Sequence, residues 1–480
     1  MPSRSTRVLV LACFLLSACG LRVDDDTRQA LLEQSVRGAG GPVAAPEQPG
    51  PDRGEVAGPE AATPTGGPGA GPAAPVGQGP SGPRAGGPST APSLPPGGNG
   101  GATDVGVTAT SLTVGTIADQ SGPQPGLFDG AIAGVRAYFA YVNSTGGVHG
   151  RTLKTKVVDS QLQCNATTNA YESLVDETFA SVGGIQLYDN CGAAVLREHP
   201  EWPDVSFALN PEHSAAPSTF QVQPSVPGGR PGPALAFAKA FPEVKRAVGA
   251  MYPDVAGARA QWDQYRQTIE ANGFEVVYEA VVSPTQVDYT QYVIAMRQAG
   301  VQMVVMLNSA INNAKFVNAA IQQRWSPKVI QAQGTIYEKA FSDALDAVPG
   351  YLYTELGFAM YRNPEERRIP GVALFQDWMA RTAPDQALDQ FAVYGWSLAG
   401  LFVKALRDAG PRAERATLIS ALKGIHSFDA EGLVISGDPG RRKPFACYVL
   451  AHLESNGTWK RWNSPATGAR CDAPYYYVKG

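Results

Sequence analysis

The 480-residue chain is poor in the side chains that metal and covalent chemistry most often need. It has five histidines, and none form a His-x-x-x-His pair, so a histidine-based metal site is not expected. Its six cysteines include no Cys-x-x-Cys, which leaves zinc and dithiol redox chemistry without support. There is no Gly-x-Ser-x-Gly elbow, no phosphate-binding glycine loop and no convincing Ser/His/Asp order. Neither an enzyme nor a cofactor is expected. The net charge is −4 and no basic stripe interleaves with aromatics, which argues against nucleic acid as a partner. No apolar run is long enough to cross a bilayer.

Glycine and proline are present in excess, 53 and 39 residues, and concentrate before residue 104. Two regimes follow. Residues 1–19 read as a targeting segment, with basic Arg4 and Arg7 ahead of the short apolar run 8–16. Leu16-Ser17-Ala18-Cys19 resembles a bacterial lipobox, which implies a lipid on Cys19; the plainer reading is a secretory cleavage site that happens to end in cysteine. Two or more acyl chains anchor stably, each buried CH₂ contributing about 0.8 kcal/mol. Residues 20–104 read as a tether. From 38 to 103 they are Gly, Pro, Ala and Ser with few charges and no aromatic residue, too little apolar surface to offset ordering entropy. A flexible chain of about 80 residues spans roughly 50 Å.

The remainder, 105–480, is long enough for two cores. It opens with an apolar strand pattern at 112–118, broken by the turn residues Asp119-Gln120-Ser121-Gly122-Pro123. Phe128, Ile132, Val135, Phe139 and Val142 then recur at helical spacing, and a second strand ends at Asp159. This is one βαβ unit, with its polar loop at the carboxyl end of the first strand, where open α/β sheets bind ligands. Strand and helix patterns alternate from there, which predicts mostly parallel sheets covered on both faces. Short strands are expected at 182–187, 205–209 and 220–222.

The run Asn143-x-x-Gly146-Gly147-Val148-x-Gly150-Arg151-x-Leu153, together with Ser121-Gly122-Pro123, resembles the opening of the type I periplasmic binding proteins, the leucine/isoleucine/valine receptors of ABC transporters. The segment from Phe391 through Tyr394, Gly395 and Trp396 resembles that family's long helix with an aromatic near its start, Phe428-x-Ala430-x-Gly432-Leu433-Val434-Ile435 resembles its closing strand, and the order of elements matches over about 110–460. The resemblance implies two Rossmann-like α/β lobes that close like a flytrap: 105–225 with 356–427 as lobe one, and 226–355 with 428–480 as lobe two. It implies a small-molecule ligand and a membrane permease as partner; with the lipobox-like leader, the expected location is the outer face of the cell membrane, lipid-anchored, and a monomer is expected. The other reading is a sensor or scaffold of the same fold without a transporter.

Four cysteines remain after the leader: Cys164, Cys191, Cys447 and Cys471. An exported chain with an even remainder suggests two disulfides, and three pairings are possible. We prefer Cys164–Cys191 with Cys447–Cys471: the first two flank neighbouring strand ends, and the family resembled carries a similar bridge there.

Ligand contacts are expected from strand-end loops: Asp119, Gln120 and Ser121, then Tyr188, Asp189 and Asn210 in lobe one, and Tyr252, Asn308, Gln333 and Tyr337 in lobe two. Each is also an ordinary turn or cap residue. His213, also near the fourth loop, reads as a hydrogen-bonded surface or turn histidine. The family holds a ligand carboxylate with Ser and Thr in the third and fourth loops and an ammonium with an acid in lobe two. Here those positions read Gly192-Ala193-Ala194, Asn210-Pro211-Glu212-His213 and Gln333-Gly334-Thr335-Ile336-Tyr337. A free α-amino acid is therefore doubtful, and a neutral or differently charged polar molecule is expected.

Overall fold

The computed structural model describes residues 94–478. The targeting segment, Cys19 and the tether up to residue 93 lie outside the described residues.

Lobe one is built on β1 (Ser111–Ala118), β2 (Thr152–Asp159), β3 (Ser181–Val182), β4 (Asp204–Val205) and β5 (Thr219–Phe220). These strands run parallel in the order β2-β1-β3-β4-β5. A short β6 (Gly228–Gly229) follows at the passage to lobe two. Lobe two holds β7 (Val248–Pro253), β8 (Val276–Val282), β9 (Met303–Met306), β10 (Val329–Gln333), β11 (Leu352–Leu356), β12 (Val449–Leu453) and β13 (Trp459–Arg461). Their order is β13-β12-β11-β10-β9-β7-β8, parallel except where β12 pairs with β11 and β13. Every residue of β9 is buried, as its unbroken apolar run requires of a strand covered on both faces. β3, β4 and β5 are only two residues long, shorter than the apolar runs suggest. The expected strand at 433–435 is a single bridge between Phe358 and Val434.

The opening motif has a local structural purpose. Asn143 donates from Nδ2 to Leu153 O (2.9 Å) and accepts from Leu153 N (2.8 Å), which clasps the helix Asp129–Ser144 to β2. Gly147, at φ +73°, turns the chain where a Cβ would collide with the Arg151 carbonyl. Arg151 is 2 % exposed and has no acid partner among the described residues; it donates to the carbonyls of Thr108, Pro411, Asn99 and Gly101. Asn99 is itself buried and donates to Ala109 O and His149 O. Residues 99–104, read from sequence as tether, are thus packed against the folded body, because they supply the carbonyls that Arg151 needs.

The helix Gln390–Asp408 crosses Asp129–Ser144 at contact distance. A Cβ at Gly395 would strike Ala131 O, and one at Gly134 would strike Ala392 O. The close crossing places the first turn of the long helix over the carboxyl end of the lobe-one sheet.

The chain passes between lobes three times, near 223, 357 and 435. Gln223 Nε2 donates to Gly357 O (2.5 Å) and to Ile435 O (2.9 Å), so one amide joins all three passages. The disulfides are Cys164–Cys191 and Cys447–Cys471.

Candidate functional site

A cavity of about 160 Å³ lies between the lobes. Its lobe-one wall is aromatic. Phe128, just ahead of the helix Asp129–Ser144, meets Phe391 edge-to-face at 4.7 Å, and Phe207 lies 4.3 Å from Tyr394. Phe391 and Tyr394 sit one helical turn apart at the start of Gln390–Asp408. Lobe two answers with Val255, Ala258, Met306 and Leu307, from the start of the helix Ala256–Ala271 and the end of β9. Polar groups are amides and hydroxyls, from Gln124, Gln261, Asn308, Ser309, Gln333, Thr335, Gln390 and Tyr394. Among the described residues, no charged side chain lines this chamber. Asn308 is 4 % exposed and its Nδ2 finds no acceptor among the described residues. Across the mouth, Gln124 Nε2 donates to Pro284 O at 3.2 Å, joining the lobes.

A second chamber, also about 160 Å³, abuts the first and shares Phe207, Leu209, Gln261, Gln333 and Tyr394 with it. The amide pair Gln261–Gln333, 3.3 Å apart, stands at the junction. This chamber carries charge. Arg230 lies over the Phe445 ring at 4.3 Å and pairs with Glu355 Oε1 at 2.5 Å. Burial pushes the Glu355 carboxyl above its ordinary range, with Arg230 opposing the shift.

Of the residues singled out in the sequence, Asn308 and Gln333 line the first chamber and Gln333 also the second. Asn210 stands at the lobe boundary, beside Gly257. The protein itself occupies most of the others. Asp119 is fully buried and accepts from Ser160 Oγ, Leu162 N and Leu187 N; burial raises its pKa. Gln120 N and Ser121 donate to Asp159. Tyr188 precedes the turn Asp189–Cys191 and lies outside the chamber lining. Tyr252 reaches Glu279, and Tyr337 is buried with its hydroxyl accepting from Arg362 N. Asp189 accepts from Leu209 N and Asn210 and pairs with His213. His213 is no surface residue: it is fully buried between Asp189 (3.0 Å) and Asp204 (2.8 Å). The common cause is that a polar residue at a strand end is first claimed by free backbone N–H groups nearby. The aromatic wall was visible only as helix-start residues, which read equally well as core.

Two acids face each other at the cleft mouth. Asp389 of lobe one caps the helix Gln390–Asp408 through Ala392 N (2.7 Å), and burial raises its pKa to about 6. Glu338 of lobe two is 9 % exposed, and its Oε1 has no partner among the described residues. Burial, then the charge of Asp389, push Glu338 well above the carboxylate range. A raised folded-state pKa means stability present below the ordinary value near 4.5 and lost as pH rises through the folded one. Glu338→Gln should therefore raise the thermal midpoint at about pH 7.5 and give no gain at about pH 4. A midpoint unchanged or lowered at the higher pH refutes this.

Two α/β lobes, joined by three passages, thus enclose a cleft at their strand ends. The chain belongs to the periplasmic binding protein family, which it matches over residues 111–458. Members of this family are solute receptors of transporters rather than enzymes. A fatty acid ABC transporter substrate-binding protein from Thermomonospora curvata shares the fold at TM-score 0.64 and 18% identity, over 80% of this chain and 96% of that one. An ABC transporter solute-binding protein from R. palustris, in complex with 4-hydroxybenzoate, gives TM-score 0.63 and 18% identity over 76% and 98%. A branched-chain amino acid ABC transporter protein from Thermus thermophilus with bound valine gives 0.63 and 16% over 76% and 97%. No curated protein matches the chain by sequence.

Proposed function

We propose that the protein is a lipid-anchored extracytoplasmic receptor that closes its two lobes on a small molecule with an apolar body and presents it to an ABC permease. The observation that carries the reading is the composition of the first chamber: aromatic and aliphatic walls from both lobes, fixed amides and no charge. Such a lining suits an apolar body with one or two hydrogen-bonding groups better than the polar ligand that the loop residues suggested. Asn308 Nδ2 is the donor best placed to orient it. A free amino acid fits poorly, because among the described residues no acid lines this chamber to meet its ammonium, and Glu355 of the abutting chamber is already paired with Arg230. Among neighbours of the fold, one is a fatty acid transporter's substrate-binding protein and two hold 4-hydroxybenzoate and valine, so both ligand types occur on this scaffold. The lipobox-like Leu16-Ser17-Ala18-Cys19 supports the anchor.

The test is a thermal-shift panel of aromatic and aliphatic small molecules beside leucine, isoleucine and valine. A ligand at about a hundred times its Kd stabilises by about 2.7 kcal/mol, a midpoint shift near 3 °C for a body of this size. Ala258→Trp, which fills the chamber from lobe two, should abolish that shift. Strong shifts with the amino acids alone would overturn the reading.

A further inference from the structure

We infer that the second chamber seats the carboxylate of an elongated monocarboxylate whose apolar body occupies the first. The inference rests on the cleft being the ligand site and adds the ligand's class and orientation.

Two buried donors, on residues that line this chamber, have no acceptor among the described residues. One is Arg230 Nη1; the other is the Tyr265 hydroxyl, on a side chain 9 % exposed. Arg230 is held in place from two sides, by Phe445 beneath its guanidinium and by Glu355 on Nη2, which leaves Nη1 as its free edge. A guanidinium keeps its charge at any ordinary pH, so a buried edge without a partner calls for an acceptor, and an anion answers it best. Burial raises the Glu355 pKa while Arg230 opposes the shift, and the carboxylate engages the Nη2 edge of the guanidinium, not Nη1. A phenol beside it supplies a second, neutral donor.

The geometry sets the ligand's shape as well. The chambers share a wall at Tyr394, Phe207 and the Gln261–Gln333 pair. One end is apolar and uncharged, the other carries the cation. A molecule filling both must be amphipathic, with its charge at one terminus and without a cation at the other. Arg230 and Glu355 also lie at the first and second passages between lobes, where Gln223 joins the hinge strands. The headgroup would therefore bind beside the hinge.

The experiment is titration calorimetry of the full chain with octanoate and phenylbutyrate, each against its own primary amide. The amide keeps size and apolar body and removes the charge. The acids should bind about tenfold or more tighter than the amides, the scale of a hydrogen bond to a charged group. Arg230→Gln should reduce the acid-to-amide ratio to below about twofold, and Tyr265→Phe should reduce it partway. Glu355→Gln should move it the other way, since it leaves Arg230 wholly in need of an anion. A merely structural ion pair would not give opposite signs for its two partners. Equal binding of acids and amides to the wild type overturns the carboxylate seat while leaving the cleft reading intact. Binding of none of the four overturns the carboxylate class; if the wider thermal-shift panel is also silent, the cleft reading falls with it.

Discussion

Replacing His213 by glutamine should destabilise the protein by about 3–5 kcal/mol, the cost of leaving buried charges without their counterion. Asp189 and Asp204 flank the imidazole, and all three are fully buried. Burial alone would lower the histidine pKa, but the two carboxylates raise it to about 10. Ser206 and Thr219 donate to Asp204, whose pKa is lowered by His213 against the effect of burial. For the histidine, a raised folded pKa means stability complete below its ordinary value near 6.5 and lost as pH climbs towards about 10. For Asp204, a depressed pKa means stability present above the ordinary value near 3.9 and lost on acidification below it. The network therefore contributes most between about pH 4 and 6.5. Urea unfolding of wild type and variant across that range, and again near pH 10, checks both size and direction. A difference under about 1 kcal/mol at pH 6 would show the charges to be solvated rather than buried.

The second large effect is expected from removing Cys164–Cys191 by paired serine substitutions. The bridge spans 27 residues, so the chain-entropy relation puts its loss at about 3–4 kcal/mol. The two predictions meet at one wall. Asp189 lies two residues before Cys191, and Thr168 Oγ1 donates to Cys191 O at 3.0 Å. The bridge fixes the outer side of the turn Asp189–Cys191, and His213 fixes its inner side. Breaking both should cost less than the sum of the separate losses, because a turn already released has little further to lose. Additivity to within about 0.5 kcal/mol in the combined variant would mean that the two devices act independently.

Much of the fold could be read from the sequence because its signals are local and redundant. The 4-3-4-3 spacing of Phe128 through Val142 sets a helix, and the apolar run after it pairs with β1 in register from Ser111–Thr152 to Ala118–Asp159. The glycine-rich run after Asn143 acts where it stands, through the Asn143–Leu153 clasp. The site was harder to read. Asp119 and Asp189 lie at strand ends, as ligand residues would, yet both turn inward to satisfy neighbouring N–H groups. Nothing in the sequence distinguishes an aspartate that binds a ligand from one that binds its own backbone. Phe128, Phe391 and Tyr394 carry the opposite ambiguity, since an aromatic at a helix start packs a core or walls a cleft depending on what lies opposite. Arg230, in a Pro/Gly-rich passage, is paired with a glutamate 125 positions on, a contact that no spacing rule reveals.

The Arg151 clamp has a mechanical consequence. It grips residues 99 and 101 at the amino ends of β1 and β2, whereas the cleft opens at the carboxyl ends of the same parallel strands. A pull on the chain ahead of residue 99 would enter lobe one from the side away from the mouth. The load would be borne by a buried guanidinium spread over four carbonyls, without crossing the three hinge passages. If the chain is held ahead of residue 99, as the proposed anchor requires, lobe two could swing about Gln223 without working against that hold, and drag on it would neither keep the mouth open nor force it shut.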